Sequence, residues 1–203
     1  MYRGKTFIIA GPSGVGKGTI IKRLFESREN LYFSVSATTR APRPGEIDGV
    51  DYHFLSRERF LEWIDRNAFL EHAEFVGNLY GTPKKYVDEA MDSGKDVILD
   101  IEVQGAEQVH RQRPDVVRIF IAPPSWEELE RRLVGRGTED PEKVRRRLER
   151  SREDILLARY YDYLVINSDL DQAVEEIQAI ITAEHCRARE RYDFVTGRLE
   201  NIL

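Results

Sequence analysis

The chain has 203 residues, 41% hydrophobic and 33% charged, which supports one sizeable core and excludes wholesale disorder. Its 31 basic and 36 acidic residues leave a net charge of −5. That balance argues against a protein that coats nucleic acid, while a local basic patch remains free to bind phosphates.

From the N-terminus, the first apolar run of note is Thr6-Phe7-Ile8-Ile9-Ala10. Its apolar part, Phe7 to Ala10, is too short for a signal peptide or a membrane span, so no membrane association is expected. A continuous apolar run ending in a glycine-rich turn predicts a buried parallel strand. Lys17 to Ser27 has helical periodicity, with Ile20, Ile21, Leu24 and Phe25 on one side. Glu29 to Ser34 looks like a tag-removal protease site but lacks its glutamine, and it reads as native sequence. Tyr32 to Thr38 reads as extended, and Arg40-Ala41-Pro42-Arg43-Pro44-Gly45 breaks regular structure. Tyr52-His53-Phe54 reads as a strand, and Ser56 caps a helix to Arg66 with Phe60, Leu61 and Ile64 inward. A turn at Gly77-Asn78 joins Phe69–Val76 to Leu79-Tyr80. These short elements read as a small inserted lobe.

Longer βα units then resume. Helices are expected at Pro83–Ser93 and Val103–Arg113, with strands at Asp96–Asp100 and Val116–Ile121. Ser125 and Glu128 form a capping box for a helix to Leu133. Gly135-Arg136-Gly137 is a loop, Asp140-Pro141 starts a long arginine-rich helix to about Tyr160, and Tyr163–Ile166 is the last strand. A final helix covers Asp169–Ala183, followed by a charged tail. Apolar strands alternating with helices predict an α/β fold whose parallel sheet is covered on both faces. The lone cysteine, Cys186, permits no intrachain disulfide and fits a reducing cytoplasm. His53, His72, His110 and His185 show no metal-ligand spacing with it, so no zinc site is expected.

Three groups of residues carry chemistry. Gly11-Pro12-Ser13-Gly14-Val15-Gly16-Lys17 lies between a predicted strand and a predicted helix, the context of a phosphate-binding P-loop. Backbone N–H groups, the helix N-terminus and the Lys17 ammonium all favour an anion there. Gly18 stands where the general pattern has a magnesium-binding hydroxyl, and the hydroxyl comes one position later, at Thr19. Arg40 and Arg43, on a proline-stiffened segment, suit a second phosphate. Arg132, Arg136 and Arg147 form the third group. Arg136 sits between two glycines, and Arg147 lies among Arg145, Arg146 and Arg150, most of which belong to a solvated basic face.

SATTRAPRPGEIDGVDYHF, FLEHAEFVGNLYGT, VILDIEVQGA, IFIAPPS, ERRLVGRGTE and VINSD follow GPSGVGKGT in that order. Over roughly Lys5 to Glu184 the chain resembles the guanylate kinases. The resemblance implies a P-loop kinase: a parallel sheet flanked by helices, an inserted GMP-binding lobe and a helical lid. Within a domain of residues 4–184, the core would be 4–35, 83–130 and 160–184, the lobe 36–82 and the lid 131–159, with 185–203 a tail. It implies ATP bound by Gly11 to Thr19 with Asn167 near the adenine. Ser36, Glu71, Thr82 and Asp100 would surround guanine, and Arg40, Arg43, Tyr52 and Tyr80 would bind the GMP phosphate. Lys17, Arg43, Arg136 and Arg147 would be the catalytic cations, and Mg²⁺ would arrive with ATP. A carboxylate at Glu71 can accept guanine N1–H and N2–H together, a donor pair that adenine lacks. Asp100 reads either as an acid for Mg²⁺ at the end of a strand or as a guanine-side group, with Glu102 a further candidate. The rival readings are a kinase for AMP or UMP, and a noncatalytic scaffolding domain of the same fold.

Overall fold

The computed structural model describes residues 3–135, 141–188, 191, 192, 195 and 196. The apolar run becomes β1 (Thr6–Ala10), the buried centre of a five-stranded sheet. Its companions are β2 (Leu31–Phe33), β7 (Asp96–Asp100), β8 (Val117–Ala122) and β9 (Tyr163–Ile166), in the order β2-β7-β1-β8-β9. Every pairing is parallel. Strands this apolar on both sides need cover on both faces, and helices supply it. One face packs α1 (Lys17–Ser27) and α7 (Leu170–His185) through Ile20, Leu24, Ile177 and Ile181. The other packs α3 (Lys84–Asp92) and α4 (Val103–Gln112) through Val87, Met91, Ala106 and Val109.

The expected extended segment from Tyr32 to Thr38 is two strands in different sheets. It leaves the first sheet after Phe33 and enters a second as β3 (Ala37–Thr38). The second sheet has the order β4-β3-β6-β5, with β4 at His53–Phe54, β5 at Phe69–Phe75 and β6 at Asn78–Pro83. Its small core is Ala37, Phe60, Phe69 and Leu79. Phe60 belongs to α2 (Arg57–Asp65) and stacks on Phe69 with ring centroids 4.4 Å apart. Leu61, expected inward, is 45% exposed, because a helix lying on so small a sheet buries a narrow stripe. The hairpin turn falls one residue earlier than expected, on Val76 and Gly77, both at positive φ. β6 runs on through Pro83, so α3 begins at Lys84.

α4 ties the two sheets together. The Gln108 side chain accepts from His72 N–H and donates to His72 C=O, both at 3.2 Å. Gln112 Nε2 donates to Leu70 C=O at 2.8 Å. After α5 (Trp126–Val134), α6 (Pro141–Leu157) leads through a 3-10 turn to β9. The helix therefore ends at Leu157, slightly short of expectation. Ser125 Oγ accepts from Glu128 N–H as a cap should, but the Glu128 carboxylate turns to Arg131 and Arg132. Only half of the expected capping box forms. Among the described residues no helix is long and apolar enough to cross a membrane.

Leu24 is fully buried between α1 and the sheet. Leu24→Ala should cost about 2–5 kcal/mol of stability, read from the urea unfolding midpoint. An unchanged midpoint would contradict this packing.

Candidate active site

The turn between β1 and α1 is built around its glycines. Gly14 and Gly16 have φ of 86° and 100°, and a Cβ on Gly11 would stand 2.4 Å from the Ile121 carbonyl oxygen. Lys17 Nζ donates to Gly11 C=O at 2.7 Å, so the ammonium folds back over the loop. Burial lowers the Lys17 pKa, and Asp100, Asp154 and Glu102 oppose that shift. The loop is braced from outside. Asn167 is buried, and its Nδ2 donates to Val15 C=O at 2.7 Å. Arg132 donates to Val15 C=O at 3.2 Å and to Asn167 C=O at 3.1 Å. Glu128 holds Arg132 Nε at 2.7 Å, and Arg131 and Arg132 push its carboxyl pKa down to about 2. Gly16, Thr19, Arg132, Asn167, Ser168 and Leu170 line a shallow shelf beside the loop. Asn167 and Thr19 thus share one side of the P-loop, while Gly18 is exposed with open space around it.

A second cavity, of about 340 Å³, lies at the seam of the two sheets. Ser36, Tyr52, Glu71, Tyr80 and Asp100 line it together. Glu71 is 8% exposed, and Thr82 Oγ1 donates to its Oε1 at 2.7 Å. A Cβ on Gly105 would come within 3.0 Å of Glu71 Oε2, so the glycine makes the room this carboxylate occupies. Burial raises the Glu71 pKa, and the Thr82 hydrogen bonds partly offset it. Asp100 is also raised by burial, with Lys17 pulling it back down. The Tyr52 and Tyr80 rings meet edge-on, 6.1 Å apart. Arg40 lies over Tyr52 at 5.3 Å and forks onto Glu46 at 2.8 and 2.9 Å. Arg43 sits on the exposed loop beyond, its N–H bonded to Glu46, and is not a wall of this cavity.

A third space, of about 540 Å³, separates the P-loop from α6. Gly11, Ser13 and Lys17 line one side, and Arg146, Arg147, Arg150, Ser151 and Asp154 line the other. The structure therefore brings Arg147 opposite Lys17. Arg136 lies outside the described residues. Sequence reasoning missed the bracing by Glu128 and the room made by Gly105. The Gly105-Gln108-Gln112 spacing, one face of a helix, was the available signal.

A parallel sheet with a phosphate-cradling loop after its first strand, a second sheet carrying a polar cavity, and an arginine-lined helix facing the loop define a P-loop nucleotide kinase. The family model described as guanylate kinase matches residues 3–184, and the chain belongs to the guanylate kinase family. It is 53% identical to a guanylate kinase of Streptococcus pneumoniae, over 90% of this chain and 88% of that one. It is 52% identical to a guanylate kinase of Halalkalibacterium halodurans, covering 93% and 92% of the two chains. Among solved structures, guanylate kinase from Anaplasma phagocytophilum superposes with a TM-score of 0.71 at 36% identity, covering 92% of this chain and 88% of that one.

The buried acid gives a prediction about the empty protein. Because the folded-state pKa of Glu71 is raised from 4.5, stability from this group is complete below that pH and is lost as pH rises through the folded value. Glu71→Gln keeps an acceptor for Thr82 and removes the buried charge. The nucleotide-free variant should melt at a higher temperature than the parent at pH 8, with the gap closing toward pH 4.5. A variant that melts lower at pH 8 would contradict the assigned burial cost.

Proposed function

We propose that the protein transfers the γ-phosphoryl group of ATP to GMP, and to dGMP, giving ADP and the nucleoside diphosphate within cytoplasmic purine nucleotide metabolism. The observation that carries this reading is the buried Glu71 carboxylate in a cavity beside the Lys17 chamber. Thr82 engages Oε1, and Gly105 keeps space beside Oε2. A carboxylate so held accepts guanine N1–H and N2–H as a pair, with Ser36 and Asp100 completing the wall. Adenine presents no such pair and would leave the buried charge uncompensated.

The acceptor phosphate falls to Arg40, Arg43, Tyr52 and Tyr80. Arg40 must then release Glu46, and the exposed loop bearing Arg43 must close inward. P-loop amides from Gly11 to Thr19 and the Lys17 ammonium take the ATP phosphates, with Asn167 on the adenine side. Arg147, and Arg136 from the segment before α6, supply charge to the transferring group. The incoming phosphate oxygen is already anionic, so no strong general base is needed. Positioning and charge neutralisation carry the catalysis. Residues 36–82 and 131–159 act as the lobe and lid that close on the core, keeping water from the transferring group.

The residues around Lys17 also suit Mg²⁺. Asp100 and Asp154 are acids whose burial penalises their charge, Glu102 stands near, and position 18 offers no hydroxyl. Asp100 and Glu102 are the groups that would hold the ion, which when bound with ATP supplies positive charge to the β- and γ-phosphate oxygens. No nucleic-acid, membrane or protein partner enters this reading.

A coupled ADP-release assay with GMP, dGMP, AMP, CMP and UMP tests the function. Efficient turnover should be confined to GMP and dGMP, and faster turnover with AMP or UMP would overturn it. Lys17→Ala should lower kcat by roughly 10²–10³-fold in a folded protein, the scale of one preorganised electrostatic contact. Arg43→Met should weaken GMP more than an ATP analogue when each is titrated separately, and the reverse order would misplace this arginine.

A further inference from the structure

The acceptor-side cavity and the Lys17 chamber adjoin along the cleft. Among the described residues, Phe75, Glu102 and Arg150 border both. They come from the end of β5, the β7–α4 connection and α6. A phosphoryl group passing from one cavity to the other crosses this junction, and Arg150 is the cation among the three. Its neighbours on α6 have partners elsewhere. Arg146 pairs with Glu142 at 2.9 Å on its own helix, and the Arg152 guanidinium lies 4.8 Å from the centre of the Trp126 ring. Arg150 instead reaches across the cleft, where Nη2 donates to Glu102 Oε2 at 2.6 Å. It stands three residues after Arg147, on the same helix face toward the P-loop.

The Arg150 and Glu102 side chains are 46% and 70% exposed. An ion pair this open to water is weak, and a phosphate bearing two or more charges competes well for a guanidinium fork. We infer that Arg150 is a further catalytic residue: it leaves Glu102 for the phosphate in transit and stabilises its oxygens. Glu102 is a positioning residue that keeps the guanidinium at the junction while the cleft is empty. The inference rests on the GMP-kinase reading above.

Steady-state kinetics of the parent, Arg150→Met and Arg150→Lys test it, with ATP and GMP varied separately. Thermal melts confirm folding. Parent turnover of GMP tests the underlying reading separately, so failure of the two is distinguishable. Arg150→Met should lower kcat roughly 10- to 100-fold with both KM values within about threefold, and Arg150→Lys should recover part of that loss. Two results would each overturn the inference: kcat within about twofold of the parent in Arg150→Met, or a rise in KM alone.

Discussion

A carboxylate buried at the seam between two sheets is the constraint on which the rest of the architecture depends. Ionised carboxylates lose much of their hydration on burial, and the cost is tolerable only with partners in place. Glu71 sits where β5 pairs with β6 opposite Thr82, and the Thr82 hydroxyl satisfies one of its oxygens. On either side, Leu70 and His72 are fixed through their backbone to Gln112 and Gln108 of α4. Gly105, on the same face of that helix, leaves the volume the carboxylate fills. One face of one helix thus joins the sheets, fixes the acid and opens the cavity. In the reading proposed above, guanine supplies the donor pair that compensates this buried charge.

The phosphate end of the cleft is organised by charge. Lys17 is surrounded by Asp100, Glu102 and Asp154, which favour its charged form against desolvation, while burial raises the pKa of Asp100 and Asp154 in turn. Lys17 and the acids that face it favour one another's charged forms, whereas Glu102 works against the charge on Asp154. The arginines of α6 lie across the chamber from these groups. The P-loop is held in a preset shape. Asn167 and Arg132 fix Val15 from behind, and Glu128 fixes Arg132.

What was legible in the sequence was local or periodic. The apolar run, the glycine-rich turn and the helix opening at Lys17 are contiguous, and each constrains the next. The α/β alternation is equally visible, because buried parallel strands must be apolar throughout. What was not legible depended on residues far apart in the chain. The division of Tyr32 to Thr38 between two sheets is set by pairing with β7 on one side and with β4 and β6 on the other. The exposure of Leu61 follows from the size of the sheet beneath it. Glu128 satisfies the capping pattern in sequence, yet two arginines in the next turn outcompete a backbone N–H for its charge. Asn167 was expected at the adenine side. It lines the shallow shelf beside the P-loop, and its side-chain amide braces the P-loop itself, a contact across 152 residues of chain.

The central claim is that a buried carboxylate reads two adjacent donors of the base. Comparing GMP with inosine monophosphate tests it most directly, since inosine monophosphate keeps N1–H and lacks the 2-amino group. Both kcat/KM values are measured at saturating Mg·ATP, for the parent and for Glu71→Gln. The account predicts that the parent prefers GMP by at least about tenfold, the equivalent of one charge-assisted hydrogen bond, and that Glu71→Gln loses most of this preference. A parent that uses both acceptors equally well, or a Glu71→Gln variant that keeps the full preference, would contradict it.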